Sequence, residues 1–421
     1  MVALVCLAIV AAFGSFAFCT RSSVAQSAQD FDWSSIPAFS MAGGLEAFWN
    51  VGDGSKGEAS KNAYARGFKP VTILNTYSDF PGGQRENISR AVGVKNLNPW
   101  QRPAFFERII RRNIERAPAK GIYVHDIEFS FEEDTTRAWG NQATRQASGI
   151  SLKDAFNEAY FRQWAEWFWL PLKWTKERYP DARVGLYGAQ PFRRDYSGRS
   201  GKNAAQIDGT HRSDWQLWKY IDPYVDFYIA SIYVLHNRPD SVLYMAANVE
   251  ENFLRTRSLS DKPVYAYVWL RFHDANPRLK GTELPPYLVE AMAIVPYFSG
   301  AKGVVLWGWE PQLKVGTRQP YEQLALFAQS LKRISALSEK IAHGRLIIDQ
   351  PAYAVWNTRG SLIRRVIVDE NECVVMAINP WQNDNERTTQ PIKCGSLSAQ
   401  IVLKGKRTTL VVVNRQGVRA Y

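Results

Sequence analysis

Seven short apolar runs constrain this chain more than any other feature. They are EAFWNV (46–51), PVTILNTY (70–77), GIYVHDIEF (121–129), RVGLYG (183–188), VDFYIASIY (225–233), PVYAYVWL (263–270) and GVVLWGW (303–309). Most are continuously apolar rather than alternating, the pattern of strands buried on both faces. Helical patterns lie between several of them. PAFFERIIRRNIERA has apolar residues at helical spacing and a basic opposite face. SLKDAFNEAYFRQWAEWFWLPLKWTKERY begins at Ser151, an N-cap residue, and carries an aromatic stripe. PPYLVEAMAIVPYF opens on prolines suited to a helix N-terminus. Strands alternating with helices predict a parallel sheet of the α/β class. Seven of them over roughly 270 residues predict a TIM-like (β/α) barrel. An open doubly wound sheet is the alternative, but no glycine-rich phosphate loop follows the first run.

The texture changes after about Gly344. RLIIDQPAYAVWNTRG, LIRRVIVDENECVVMAINP, AQIVLKG and RTTLVVVNRQG read as short strands joined by turn residues, with no helix pattern. The expectation is a small all-β sandwich domain over 345–421, leaving 26–344 to the barrel. Residues 1–25 are a separate object. VALVCLAIVAAFGSFAF is an apolar run, and SSVAQ offers a small-x-small cut after Ala25, which predicts a secretory signal peptide. The basic n-region is missing, so an uncleaved anchor is the alternative. The protein is expected to be secreted or periplasmic, with no stable membrane insertion after cleavage. Loss of the leader removes Cys6 and Cys19. Cys373 and Cys394 remain, and they form either one disulfide in the β segment or two buried thiols.

The net charge is +12, and the leader holds one Arg and no acid, so the mature chain stays basic. That suits an acidic partner such as an anionic polysaccharide, a phosphate-bearing wall or a membrane surface; solubility alone is the bland alternative. No DNA-binding motif is present, and an exported chain is a poor candidate for nucleic acid. The 15 Trp and 19 Tyr either stack on sugar faces or fill the core.

The third run ends in an unusual way, as Ile122-Tyr123-Val124 leads into His125, Asp126, Ile127 and Glu128. In a β/α barrel the chemistry sits at the C-terminal strand ends. Residues i and i+2 of a strand face the same side, about 6–7 Å apart at Cα. Asp126 and Glu128 would then share the barrel mouth, where one carboxylate raises the other's pKa, as a general acid requires. A salt-bridged pair of scaffold acids is the alternative. The histidines at 125, 211, 236, 273 and 343 lack metal-ligand spacing, so neither a metal nor another cofactor is expected. No G-x-S-x-G elbow is present. Glu310, just after the last run in LWGWEP, is a candidate second carboxylate for a two-acid glycosidase.

Taken together, the pieces resemble the hyaluronidase family of glycoside hydrolases. AFWNV, VHDIE, RVGLYGAQPF, DFYIASIYV, KPVYAYVWLRF and LVEAMAIVPYFSGAKGVVLWGWE resemble that family's strand-end segments, in the family's order, over about residues 45 to 311. The resemblance implies a seven-stranded barrel. It implies Glu128 as general acid and base, and Asp126 as the group that orients and polarises the substrate's acetamido group. It implies Tyr187, Tyr233 and Trp307 as cleft walls; Trp49, in the resembling AFWNV segment, and Glu310, at the end of the last run, are further candidate substrate contacts. Phe131 stands where the family places an Arg. The implied reaction uses no enzymic nucleophile, because the substrate's own acetamido carbonyl attacks the anomeric carbon. The reading is therefore a retaining glycosidase acting on a polysaccharide with N-acetylhexosamine, an anionic one included. A two-carboxylate glycosidase using Glu128 with Glu310, and a polysaccharide-binding protein without catalysis, are the alternatives.

Overall fold

The computed structural model describes residues 31–52, 57–79, 85–92, 96–119, 121–129, 131–192, 204–313 and 321–421. The leader segment 1–25, with Cys6 and Cys19, lies outside them. Seven parallel strands form one sheet: Glu46–Gly52, Lys69–Asn75, Ile122–Asp126, Arg183–Tyr187, Tyr228–Ser231, Val264–Val268 and Ala301–Trp309. They are called the first to seventh barrel strands below. Their spatial order is fourth, third, second, first, seventh, sixth, fifth, so the sheet curls until the fourth and fifth strands meet.

The seam between those two strands is closed by a side chain. The Asp226 amide donates to Val184 O at 2.8 Å, and the Val184 amide donates to Asp226 Oδ2 at 2.7 Å. Lys176, on the helix Lys153–Arg178, holds the same carboxylate at 2.7 Å. Asp226 thus supplies the acceptor that a ladder partner would otherwise provide. The barrel is nearly closed with seven strands.

Its interior is filled by Phe48, Val124, Phe227, Ile229, Tyr265 and Val305, among others. The outward strand faces pack on the helices. Trp164, Trp167 and Phe168 of Lys153–Arg178 are wholly buried there, and burying Phe168 contributes about 1.5–3 kcal/mol. The aromatic stripe read in that helix is therefore core. At the N-terminal end of the barrel, Glu46 receives Lys69 at 3.0 Å, Arg183 at 3.1 Å and the Tyr265 hydroxyl. Burial raises its pKa, but those donors and charges outweigh it and hold the carboxyl below its ordinary value.

From Arg345 onward the sheets are antiparallel. A five-stranded sheet uses Arg345–Ile347, Leu362–Asp369, Glu372–Ile378, Thr409–Asn414 and Gly417–Ala420, and a hairpin of Arg387–Cys394 and Leu397–Lys404 covers one face. The second layer of the sandwich is thus only two strands wide. The sheet's other face, with Leu362, Val366, Val374, Met376, Leu410 and Val412, joins the barrel's outer core. Cys373 and Cys394 are joined through their sulfurs, with Cα atoms 6.1 Å apart. The stretch is not all β: Ala352–Thr358 is a helix. At seven residues it is too short to show helical periodicity, and Pro351 just before it reads equally as a turn.

Two buried carboxylates on barrel helices fasten this segment. Glu250, on Asp240–Thr256, accepts from Arg364 Nε and the Ala352 amide, each at 2.7 Å. Glu290, on Pro286–Phe298, accepts from Arg333 at 2.6 Å, Arg407 at 3.0 Å and the Thr408 amide at 2.9 Å. Among the described residues no helix is long and apolar enough to cross a membrane.

Candidate active site

Alternation along the third strand sorts its end into two faces. His125 and Ile127 turn outward. His125 Nε2 meets Thr175 Oγ1 at 2.7 Å, and complete burial pushes its pKa down to about 3, so the ring is neutral and outside the cleft. Val124, Asp126 and Glu128 turn inward and line an open cleft at the C-terminal end of the barrel.

Gly188 lets the two acids sit where they do. The Ile127 amide donates to Tyr187 O at 3.1 Å, which presses the next residue against the third strand. Gly188 has φ +94°, and a Cβ there would stand 2.1 Å from Ile127 O and 3.2 Å from the Glu128 Cγ. Only glycine tolerates both the dihedral and the approach.

The two carboxylates differ. Glu128 is exposed to the cleft. Asp126 is half-buried, and its Oδ1 is sealed from solvent without a hydrogen-bond partner. Burial first, and the Glu128 carboxylate second, push the Asp126 pKa up to about 6. Nothing in the protein solvates that charge fully, so an N–H brought by a ligand would stabilise it.

Aromatic rings form the rest of the cleft. Tyr187 and Tyr267 lie 5.0 Å apart, Tyr233 and Trp307 5.6 Å, and Trp269 meets Trp307 edge-on at 4.8 Å. Burial raises the Tyr187 pKa to about 12 and drives Tyr233 and Tyr267 well upward, so all three phenols keep their protons at neutral pH. Tyr187 shares a hydrogen bond with Ser231 Oγ at 3.3 Å. The Tyr267 hydroxyl lies near Asn50 without a well-formed bond, and the Trp269 N–H is also unpartnered. The cleft is thus a box of flat faces with polar tips and two acids on one side. Sugars fit such a box, with C–H faces against rings and hydroxyls against the tips.

The chain is similar in structure to bee venom hyaluronidase. In complex with a hyaluronic acid tetramer, that structure matches 74% of this chain and 98% of its own, with 17% identity and a TM-score of 0.44. A Cellulomonas fimi endo-β-1,4-mannanase double mutant matches 86% of this chain and 79% of its own, with 10% identity and a TM-score of 0.38. An endo-β-1,6-glucanase matches 89% of this chain and 92% of its own, with 10% identity and a TM-score of 0.35. No protein-family model and no curated protein matches the chain. At these values the likeness carries no functional argument, which rests on the cleft.

Of the residues singled out from sequence, Asp126, Glu128, Tyr187, Tyr233 and Trp307 line the one cleft. Trp49 does not. It faces the helical layer, packed on Trp33 at 5.9 Å and Phe68 at 5.3 Å, and its neighbour Asn50 faces the cleft instead. Strand alternation decides this, because Phe48 and Asn50 take the inward positions. Glu310 is also misplaced by the sequence reading. It is fully buried, gripped by Arg271 Nε at 2.8 Å and Nη2 at 2.7 Å, and does not line the cleft. A carboxylate so engaged is a poor nucleophile or base. Phe131 packs on Trp164 and Phe168. Asn50, Tyr267, Trp269, His273 and Asp274 line the cleft but were not singled out. The signal for two of them was present, because Tyr265, Tyr267 and Trp269 alternate in VYAYVWL. Among the described residues no cluster of His, Cys, Asp or Glu is arranged to hold a metal.

Proposed function

We propose that the protein is a glycoside hydrolase that cleaves a polysaccharide at N-acetylhexosamine residues, with retention of configuration and with the substrate's acetamido group as nucleophile. One observation carries the reading: an under-solvated carboxylate, Asp126, stands beside a solvent-facing one, Glu128, inside an aromatic box. In the first step Glu128 gives its proton to the glycosidic oxygen. The C1–O bond breaks as the acetamido carbonyl oxygen bonds to C1, and the leaving sugar departs with that proton. In the second step water attacks C1, Glu128 takes the water's proton, and the cyclic intermediate reopens to the acetamido sugar. Ionised Asp126 accepts from the acetamido N–H and offsets the positive charge of the ring that forms. Tyr267 and Trp269 offer donors to the same group. The apolar leader supports an exported enzyme.

The two-carboxylate alternative loses its second acid, since Glu310 is tied to Arg271. The test uses paired aryl N-acylhexosaminides, acetyl against trifluoroacetyl. A participating carbonyl loses nucleophilicity on fluorination, so kcat should fall steeply in the wild type. An equal rate on both would overturn the mechanism, and no turnover of any hexosamine compound would overturn the activity.

A further inference from the structure

The hairpin that covers the C-terminal sheet has two unlike faces. Alternation along Arg387–Cys394 and Leu397–Lys404 turns Ile392, Cys394, Ile401 and Leu403 inward, where they are buried against the sheet. The Cys373–Cys394 bond ties the hairpin down. The outward face carries three cations, Arg387, Lys393 and Lys404, and three neutral polar side chains, Thr389, Ser398 and Gln400, all exposed. Charge here has one sign. From residue 387 to 421 the chain holds seven Lys or Arg and no Asp or Glu, more than half of its net charge of +12. Of these, Arg407 is taken up by Glu290. The hairpin cations meet no carboxylate across the ladder, because Arg387 stands opposite Lys404 and Lys393 opposite Ser398. Like charges directly opposite weaken a sheet, so folding does not favour the first pair. Acids flank the face without lying on it. Asp384 and Glu386 precede the hairpin, where Glu386 accepts from the Asn383 amide at 3.1 Å, and Glu370 meets the far turn through its carbonyl, which accepts from Ser396 Oγ at 3.4 Å.

We propose that this outward face is a docking surface for an acidic polysaccharide, separate from the cleft. Arg387 and Lys404 share one end of the hairpin. Lys393 lies six residues along its strand, about 20 Å away at about 3.4 Å per residue. Cations so spread cannot converge on one small anion, but they suit a polymer whose charges recur along its length. The neutral groups between them offer hydrogen bonds to sugar hydroxyls. A bilayer surface would call for large apolar side chains to insert, and Val402 is the one exposed large apolar side chain on this face. The proposal does not depend on the catalytic reading, since binding is measured without turnover.

The test measures the Kd of the full chain for polygalacturonate, which has no acetamido group, at low and at physiological salt. Wild type should bind, and more weakly as salt screens the charges. Combining Arg387→Gln, Lys393→Gln and Lys404→Gln should weaken binding about ten- to thirtyfold, the range of three exposed charge contacts. Combining Lys61→Gln, Lys153→Gln and Lys302→Gln removes the same charge from exposed barrel positions and should change the Kd by less than about twofold. The hairpin variant should melt no lower than wild type, because its side chains are exposed and one like-charge pair is relieved. If it does melt lower, Lys393→Gln alone should weaken binding about threefold, with Lys61→Gln unchanged. Equal losses in the two sets of variants would make binding a matter of net charge and overturn the surface. Absence of wild-type binding at low salt would overturn it as well. So would binding to phosphatidylserine vesicles without binding to polygalacturonate, which would give the face to a membrane.

Discussion

Glu46 and Asp126 enter the same barrel interior from opposite ends. Glu46, at the start of the first strand, has Lys69, Arg183 and Tyr265 around it. Asp126, at the end of the third, has an oxygen that nothing partners. The pKa of the first is held down and that of the second is pushed up to about 6. The same residue class thus closes one end of the barrel and opens the other. The difference is in partners supplied, not in burial alone, because burial acts upward on both.

The sharpest way to break this contrast is Glu128→Gln. It should lower kcat on any cleaved substrate by about 10²–10⁴-fold, because the amide cannot donate the proton. The melting temperature should hardly move, since the side chain is exposed. Full activity would end the assignment. Asp126→Asn should be nearly as damaging to turnover, by about 10²–10³-fold, with loss of the charge facing the ring intermediate. It should also do the opposite to the fold. Asp126 has a folded-state pKa above its unfolded value, so its ionised form weighs against folding above about pH 6, and the penalty fades as the pH falls towards 4. Removing it should stabilise the protein by on the order of 1–3 kcal/mol at pH 7.5 and by almost nothing at pH 4. Denaturant titration at both values checks this.

A milder effect lies in the wild-type pH profile. The reaction needs a proton on Glu128 and none on Asp126, so the active form holds one proton on the pair, and kcat/KM should level off below about pH 6 and fall about tenfold per unit above it. A rate that stays level from about pH 6 to about pH 8.5 would exclude this division of the proton. The smallest effect is expected at the closed end. Glu46→Gln should cost about 1–2 kcal/mol of stability, since Lys69 and Arg183 are half-exposed and screened. Activity per folded molecule should not change. Glu46 has a depressed folded-state pKa, so its contribution is complete above the ordinary glutamate value and disappears as the pH falls through the folded one. The wild type and the variant should therefore converge in acid. A stability gain for Glu46→Gln at pH 7 would invert the comparison.

The seven strands were legible because strands buried on both faces leave continuous apolar runs, and because Asp126 and Glu128 interrupt one such run two residues apart. Trp49 was misassigned because a resemblance fixes a segment, not the face on which each residue falls; the alternation of Phe48, Trp49 and Asn50 had to be imposed as well. Glu310 was misread because its partner, Arg271, lies on another loop, and ion pairs between distant segments leave no local pattern. The same holds for Asp226. Its role across the seam depends on the fourth strand lying beside it, which no pattern within residues 225–233 shows. His273 and Asp274 come from a loop with no periodicity to indicate where it points.

Glu250 and Glu290 bear on how the chain comes apart. Each is anchored in a barrel helix, and part of its hydrogen bonding comes from beyond residue 351. Stripping the antiparallel sheets away would take both named partners from Glu250 and leave Glu290 with Arg333 alone, a loss far greater than the exposed area suggests. The C-terminal segment is therefore no interchangeable accessory. The barrel and the sheets should melt in a single calorimetric transition, and a chain shortened after His343 should go into inclusion bodies rather than yield a smaller working enzyme.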